Sequence, residues 1–243
     1  MAASRRHDGR RAGELRPLKI TPGFVRTAGG SCLIELGGTR VICTASLAPG
    51  VPRWRAGSGV GWLTAEYGML PAATGSRKPR PIAKPDSRSV EIQRLIGRSV
   101  RNVVRFDRLG ENTLTLDCDV LEADGGTRTA SITGAYVALA LAVRRGVDKG
   151  LCRPGTLNGA VAAVSVGIVD GRAMLDLDYS EDSAADVDMN VAMLRGERFV
   201  EVQGSSERRP FDADQLQEML ALARRGISKL LRAQQQAIAG ERR

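Results

Sequence analysis

Alternating apolar and polar residues mark the first structural element of the chain. Residues 32–36 and 39–43 both alternate, and the Gly37-Gly38 pair between them is a strong signal for a two-residue hairpin turn. In that register Cys32 lies opposite Cys43 on the apolar face. The pattern therefore predicts a β-hairpin that buries one face.

The same pattern returns in the second half of the chain. Residues 163–169 and 173–177 flank Asp170-Gly171, which is another hairpin turn signal. Three further runs are typical of strands and cover residues 61–67, 112–121 and 199–203. These strands are expected to build mixed sheets.

Three segments have the period of a helix. Residues 88–104 are amphipathic, whereas residues 127–145 are apolar on almost every side, which predicts burial against a sheet. A last helix runs to about residue 237 and begins with Asp212 and Gln215, which have the spacing of a capping box. The order of elements predicts an α+β fold with mixed sheets and helices packed on one face.

The ends of the chain and its apolar runs bear on domain organisation. Residues 1–13 are polar and basic without periodicity, which predicts a flexible tail, and residues 14–243 are expected to form a single domain. No run is long and apolar enough to span a membrane, and the first residues lack the apolar segment of a secretory signal. A cytoplasmic location is the default expectation.

The charge of the chain points to an anionic partner. The net charge is +9 and the pI is about 10.0, so nucleic acid is the leading candidate, while a basic surface without a partner is the alternative. Aromatic residues make up only 4% of the chain, which favours recognition of the nucleic-acid backbone. Residues 72–87, which include Arg77, Arg80 and Lys84, form a loop rich in proline that could clamp RNA, contact a subunit or simply be solvated.

Cysteine and histidine usage limits the chemistry. The four cysteines form no CxxC pair, so a zinc site has little support. A disulfide between Cys32 and Cys43 is geometrically conceivable, but two buried thiols are favoured. The single histidine, His7, lies in the basic tail, which argues against a Ser-His or Cys-His nucleophile. Catalysis is therefore expected to use carboxylates and cations, with or without a metal.

A Gly-Gly turn at a helix start is the first candidate for chemistry. Gly126, Thr127 and Arg128 follow a strand and open the apolar helix, where unpaired N–H groups and the helix dipole attract an anion. A guanidinium adds bidentate binding of phosphate. Arg88, at the start of the amphipathic helix, also hints at a bound anion, because a cation there is unfavourable. The alternative is an ordinary helix cap provided by Thr127.

A dense acidic segment is the second candidate. Asp182 and Asp188 lie in a run of carboxylates that repel one another unless water or a cation neutralises them. Mg²⁺ prefers a few carboxylates together with substrate oxygens, so the segment suits that ion. A solvated acidic loop is the alternative. The strand acids Asp117 and Asp119 are interpreted as architectural.

Several motifs together resemble the ribonuclease PH family of phosphorolytic exoribonucleases. They are Asp8-Gly9-Arg10, Glu14-Leu15-Arg16-Pro17, and residues 64–71, 91–98, 117–133, 181–183 and 186–190. The resemblance implies a fold related to domain 2 of ribosomal protein S5. It also implies a homohexameric ring, a trimer of dimers, that removes 3′-terminal nucleotides from tRNA precursors with inorganic phosphate and releases nucleoside diphosphates.

The resemblance also implies roles for individual residues. Phosphate binding falls to four positions, Arg88, Gly126, Thr127 and Arg128. Asp182 and Asp188 become the catalytic or Mg²⁺-binding acids. Arg77 and Arg80 match positions linked to RNA contacts or ring assembly. Arg94 and Arg98, which belong to a basic stripe on the amphipathic helix, are also expected to contact RNA. Phosphorolysis suits the lack of a catalytic histidine, because phosphate is already anionic at neutral pH. A non-catalytic RNA-binding ring subunit and a hydrolytic phosphoesterase are the alternatives.

Overall fold

The structure is a computed structural model that describes residues 6–80 and 86–241. Within those residues the chain forms nine strands and five α-helices. The strands are β1 (Leu18–Pro22), β2 (Gly30–Leu36), β3 (Thr39–Pro49), β4 (Trp62–Met69), β5 (Asn112–Glu122), β6 (Val161–Val169), β7 (Arg172–Leu175), β8 (Val187–Leu194) and β9 (Arg198–Ser206). The helices are α1 (Ser87–Arg101), α2 (Phe106–Leu109), α3 (Thr127–Asp148), α4 (Tyr179–Ala184) and α5 (Ala213–Gly240).

The first sheet has the order β1-β2-β3-β5-β4 and is mixed, because β4 and β5 are parallel while the other pairs are antiparallel. The predicted hairpin forms its centre, with Cys32 opposite Cys43 as expected. Both cysteines are buried and free, which confirms the favoured interpretation of two buried thiols.

The second sheet is antiparallel and has the order β7-β6-β8-β9. The predicted hairpin around Asp170 and Gly171 joins β6 to β7. Both residues have positive φ angles, 50° and 70°, which a two-residue turn of this hand requires. The second hairpin prediction is therefore confirmed.

Helix α3 lies at the centre of the molecule and packs on strands of both sheets. Its residues are buried on nearly every side, as its apolar sequence predicts. A Cβ atom added at Gly134 would lie 2.6 Å from the Cys43 sulfur, so glycine permits the close approach of α3 to β3. One core cluster joins residues of both sheets, for example Ile34 and Val161.

The other two long helices, α1 and α5, also pack against strands of the sheets. Helix α1 packs on β4, and α5 packs on β6 and β7. The Asp212 side chain accepts a hydrogen bond from the Gln215 N–H at 2.8 Å, and the Gln215 side chain accepts one in return, which confirms the predicted capping box. The α+β class is confirmed as well. No helix in the described ranges is long and apolar enough to cross a membrane.

Four elements were missing from the sequence prediction, namely β1, α2, α4 and β8. Strand β8 is the most consequential, because it is an inner strand of the second sheet and carries Asp188. Its apolar residues Val187, Met189 and Val191 alternate with Asp188 and Asn190. The density of acids in this region suggested a loop, whereas the alternation is that of a strand.

The N-terminal segment also differs from the prediction. The side chains of Arg6 and Arg10 are buried, so residues 6–13 pack on the fold and the expected flexible tail is wrong for this stretch. Arg6 pairs with Glu181, whereas Arg10 pairs with the neighbouring Asp8 and lies 3.5 Å from Glu181. The contacts with Glu181 are long-range, so local composition does not reveal them. Residues 1–5, and the part of the basic loop with Lys84, lie outside the described residues.

Candidate active site

The turn before α3 has the geometry of an anion site. Gly125 and Gly126 have φ angles of 73° and 65°, in the left-handed region that favours glycine. A Cβ atom on Gly125 would also lie 2.7 Å from the Leu177 carbonyl oxygen. Gly126 is the N-cap and no side chain caps the helix, so the first N–H groups of α3 are available to an anion. The alternative of an ordinary Thr127 cap is not what the structure shows.

A buried arginine holds this turn in place. The Arg16 guanidinium donates hydrogen bonds to the carbonyl oxygens of Asp124 and Gly125, the second at 3.4 Å. It also forms an ion pair with Asp176, with 2.7 Å between Nη2 and Oδ1. Thr39 adds a third link, since its hydroxyl donates to the Gly125 carbonyl at 2.6 Å. The backbone that presents the α3 N–H groups is therefore fixed by side chains that are distant in the sequence.

A cavity of about 430 Å³ opens at this turn. It brings together all of the residues predicted to bind phosphate or metal, which are Arg88, Gly126, Thr127, Arg128, Asp182 and Asp188. The rest of its lining is Met69, Thr74, Lys78, Ala123, Gly125, Ser165, Tyr179, Asn190 and Glu207. Residues from α1, α3, α4 and β8 therefore converge on one space.

One side of the cavity is cationic. Arg128 is largely buried, and its Nη1 lies 3.4 Å from Oε1 of Glu91 on α1. Arg88 is exposed, and within the described part of the chain it forms no ion pair. Lys78, from the basic loop, adds a third positive charge. The site thus presents two guanidinium groups and an ammonium group to an anion beside the α3 N–H groups.

The cavity also carries a pair of acids, Asp182 and Asp188. Burial and the charge of Asp182 raise the pKa of Asp188 to about 6, against the smaller effect of Arg128. Burial likewise raises the pKa of Asp182. Among the described residues, neither carboxylate forms an ion pair, and Asp188 accepts only one long side-chain hydrogen bond, 3.4 Å from Asn190 Nδ2. Two half-buried acids therefore share the site without a paired cation among the described residues.

Some residues in the cavity or next to it were missed by the sequence analysis. The Tyr67 hydroxyl lies 2.9 Å from the Thr127 hydroxyl, and burial raises the pKa of Tyr67. Asn190 is buried beside Asp188, and Glu207 faces both acids. Tyr67 lies within a motif of the resemblance, so it could have been found there. For Glu207 no sequence signal exists.

The residues expected to contact RNA lie elsewhere. Arg77 and Arg80 are exposed and do not line the cavity. Arg94 and Arg98 project from α1, where Arg98 is held by Glu201 through two hydrogen bonds of 2.8 Å. RNA binding by these four arginines therefore stays a prediction. The Arg98 guanidinium is already paired with the Glu201 carboxylate.

Helix α4, which carries Asp182, is anchored by the N-terminal segment. Arg6 binds both oxygens of Glu181, and it donates to the carbonyl oxygen of Leu175 at 2.6 Å. His7 Nε2 lies 2.7 Å from the carboxylate of Asp178, the residue that caps α4, and this pairing raises the pKa of His7. His7, Asp178 and Glu181 are close enough to share a metal, but the arginine charge on Glu181 disfavours a cation there. The cluster is better explained as an anchor.

Replacing Arg6 with methionine should lower the free energy of unfolding by about 3–5 kcal/mol, because it leaves Glu181 buried without its partner. Urea denaturation followed by circular dichroism measures this change. Arg11→Met is the matched control, since its side chain is 75% exposed and its loss should change stability by less than about 0.5 kcal/mol. Equal stability of the two variants would contradict the anchoring role.

Comparison with known proteins identifies the family. Residues 14–144 match the model of the 3′ exoribonuclease family, domain 1, and residues 159–226 match domain 2 of the same family. The chain belongs to the 3′ exoribonuclease family. It is 56% identical over 235 residues to a ribonuclease PH of Corynebacterium diphtheriae, covering 96% of this chain and 97% of that relative.

Two solved structures share the fold of this chain. An Archaeoglobus fulgidus exosome chain, from a structure with RNA bound to the active site, superposes with a TM-score of 0.79 at 25% identity and covers 93% of this chain and 91% of that one. Rice (Oryza sativa) Rrp46 gives 0.78 at 14% identity, with 96% and 100% covered. The expected fold, related to domain 2 of ribosomal protein S5, is confirmed.

Membership of the family also confirms the predicted activity. The chain is a phosphorolytic 3′-to-5′ exoribonuclease, a phosphate-dependent tRNA nucleotidyltransferase. Inorganic phosphate is therefore its co-substrate, and RNA 3′ ends are its substrates. The family assignment alone does not identify the residues of this chain that bind each reactant.

Proposed function

We propose that the cavity at the start of α3 is the active site and that phosphate binds on its cationic side. Arg88 and Arg128 would hold the phosphate oxygens, and the N–H groups of Gly126, Thr127 and Arg128 would donate to them. The observation that carries this assignment is that an uncapped helix N-terminus, two arginines and two acids line one cavity. Such a site can bind the attacking phosphate together with the RNA linkage that the phosphate attacks.

The two acids fit a divalent cation. Asp182 and Asp188 are half-buried carboxylates with raised pKa values and without ion-pair partners among the described residues, so a cation would relieve their repulsion. Two carboxylates completed by substrate oxygens form the set that Mg²⁺ prefers. When bound, Mg²⁺ would stabilise negative charge on the leaving oxygen.

The residues of the chain overcome the main obstacle to the reaction, which is repulsion between two anions. An oxygen of the phosphate attacks the phosphorus of the last RNA linkage, and the bond from that phosphorus to the 3′ oxygen breaks. The departing 3′ oxygen gains the proton that hydrogen phosphate brings, so a nucleoside diphosphate and a shortened RNA are released. Arg88 and Arg128 hold the attacking group in place and offset its charge, which lowers the barrier by positioning and electrostatics.

Tyr67 and Arg16 would act through other residues. The Tyr67 hydroxyl fixes the Thr127 side chain at the helix start, and Arg16 fixes the Gly125 carbonyl of the turn. Both side chains are buried, so they orient the α3 N–H groups rather than touch RNA.

The wider assignments follow from this activity. We infer that residues 14–243 work as one catalytic unit, since α3 packs on both sheets, and that tRNA precursors are the substrates. We also propose a homohexameric ring, a trimer of dimers, and a cytoplasmic location. Arg77, Arg80, Arg94 and Arg98 are proposed to contact the RNA outside the cavity, where all four are exposed.

A single assay tests the function. Incubating tRNA that carries a 3′ extension should release nucleoside diphosphates only when inorganic phosphate is present. Thin-layer chromatography of the labelled nucleotides distinguishes the outcomes. Monophosphates formed without phosphate would indicate a hydrolytic phosphoesterase, and no products in either condition would indicate a non-catalytic RNA-binding subunit.

A further inference from the structure

The two tryptophans of the chain lie in one cluster with a phenylalanine and two arginines. The Trp54 and Trp62 rings meet edge to face, with centroids 4.8 Å apart, and Trp62 stacks on Phe106 at 6.2 Å. The Arg55 guanidinium lies 5.3–5.6 Å from the centroids of all three rings, and that of Arg101 lies 4.5 Å from Trp62. We call this group the aromatic–arginine cluster.

Hydrogen bonds fix the two guanidinium groups of the cluster, while the Trp54 ring is open to solvent. Arg55 Nε donates to the Gly61 carbonyl at 2.8 Å, and Arg101 Nε donates to the Leu63 carbonyl at 2.9 Å, so both guanidinium groups are held against the rings. Trp54, in contrast, is 66% exposed. A large aromatic ring held in place beside cations and open to solvent is the arrangement on which a nucleic-acid base stacks.

The cluster and the catalytic cavity lie at opposite ends of the same two elements. Trp62 is the first residue of β4, and Met69, the last, lines the cavity. Helix α1 returns along β4, from Arg88 in the cavity to Arg101 on the Trp62 ring. Eight residues of strand span about 23 Å. This distance corresponds to about seven nucleotides of a stacked strand at about 3.4 Å each.

The charge of the surface between the two sites suits an RNA strand. The exposed side chain of Arg94 projects from the middle of α1, between Arg88 and Arg101. Within the described residues it forms no ion pair, so it is available to a phosphate group. A row of cations thus leads from the cavity to the cluster.

We propose that the aromatic–arginine cluster binds single-stranded RNA upstream of the 3′ end, with one base stacked on Trp54 and its backbone near Arg55. The proposal rests on the assignment of the cavity as the site that holds the 3′ end. RNA is favoured over a second copy of the chain, because two copies of this patch placed face to face would bring Arg55 and Arg101 against their own copies. The net charge of +9 favours a polyanion for the same reason.

Phosphorolysis of two RNA lengths tests the proposal. Trp54→Ala should raise KM for a single-stranded 12-nucleotide RNA about tenfold or more, the loss expected when a stacked base is released. Its kcat, and its KM for a 4-nucleotide RNA, should stay within twofold of the unmodified protein. Trp54→Phe should restore most of the affinity, and Phe24→Ala is the control for losing an exposed aromatic ring elsewhere. A change that is equal for both lengths, or no change for either, would overturn the proposal.

Fluorescence gives a second measurement that does not depend on turnover. In Trp62→Phe, Trp54 is the only tryptophan, and the 12-nucleotide RNA without phosphate should quench its emission whereas the 4-nucleotide RNA should not. The competing explanation is that Trp54 lies in a subunit interface. Light scattering tests it by measuring the mass of the Trp54→Ala assembly, and a smaller assembly would refute RNA binding by Trp54. The assignment of the cavity as the active site is tested separately. It is wrong if the unmodified protein releases no nucleoside diphosphate from the 4-nucleotide RNA.

Discussion

Replacing Asp188 with asparagine should reduce kcat about 100- to 1000-fold while leaving the fold intact. The substitution keeps the size of the side chain and removes the charge that we assign to the metal site, and electrostatic groups of active sites contribute about this factor. Steady-state phosphorolysis across a series of Mg²⁺ concentrations measures the effect. Higher Mg²⁺ should recover little activity, because the lost group is itself a proposed ligand.

Stability distinguishes this loss from unfolding. The pKa of Asp188 is raised to about 6 in the folded protein, so the protonated form favours folding at low pH and this stabilisation is lost as the pH rises through about 6. Asparagine stays neutral at every pH. Without Mg²⁺, the midpoint of thermal unfolding of Asp188→Asn at pH 8 should therefore be at least as high as that of the unmodified protein.

A neighbouring acid provides the control for Asp188. Asp119 lies on β5 and is exposed, in a separate surface depression with Glu66 and Asp117. Asp119→Asn removes the same charge from the chain but not from the cavity, so kcat should stay within twofold. Full activity of Asp188→Asn, or an equal loss in Asp119→Asn, would show that Asp188 has no special role.

Local patterns and the family resemblance predicted most of the elements and all six residues proposed to bind phosphate or metal. Both hairpins and the capping box of α5 follow from neighbouring residues, and so does the glycine turn at Gly126. Strand β8 was missed because its acids suggested solvent exposure. In the fold they alternate with Val187 and Met189, which are buried. The acids themselves were therefore predicted, but the strand that places Asp188 beside Asn190 was not.

Long-range ion pairs could not be predicted in this way. Arg6 meets Glu181 and Arg16 meets Asp176, across 175 and 160 positions of the chain. No periodicity or turn signal connects such residues, and the basic composition of the first residues suggested a free tail instead. These arginines link the turn at Gly125 to helix α4, so the phosphate and acidic sides of the cavity share one buried support.

Replacing Arg128 with alanine should raise KM for phosphate about 100-fold while KM for RNA changes by less than about twofold. Arg128 is the more buried of the two cavity arginines and belongs to the helix whose N–H groups would complete the phosphate site. A bidentate, charge-assisted contact accounts for a loss of this size. Initial rates at varied phosphate and saturating RNA, and then the reverse, separate the two constants.

Two further substitutions show whether the effect comes from geometry or from charge alone. Arg128→Lys keeps the charge but loses the planar pair of donors, so its KM for phosphate should fall between those of the unmodified protein and Arg128→Ala. Arg98→Ala removes a cation that Glu201 already neutralises on the outer surface, and it should leave the phosphate dependence unchanged. If all three variants shifted KM for phosphate equally, the general positive field of the protein would explain phosphate binding. Because Arg128 lies beside the uncapped start of α3 and Arg98 does not, we expect only the Arg128 variants to respond.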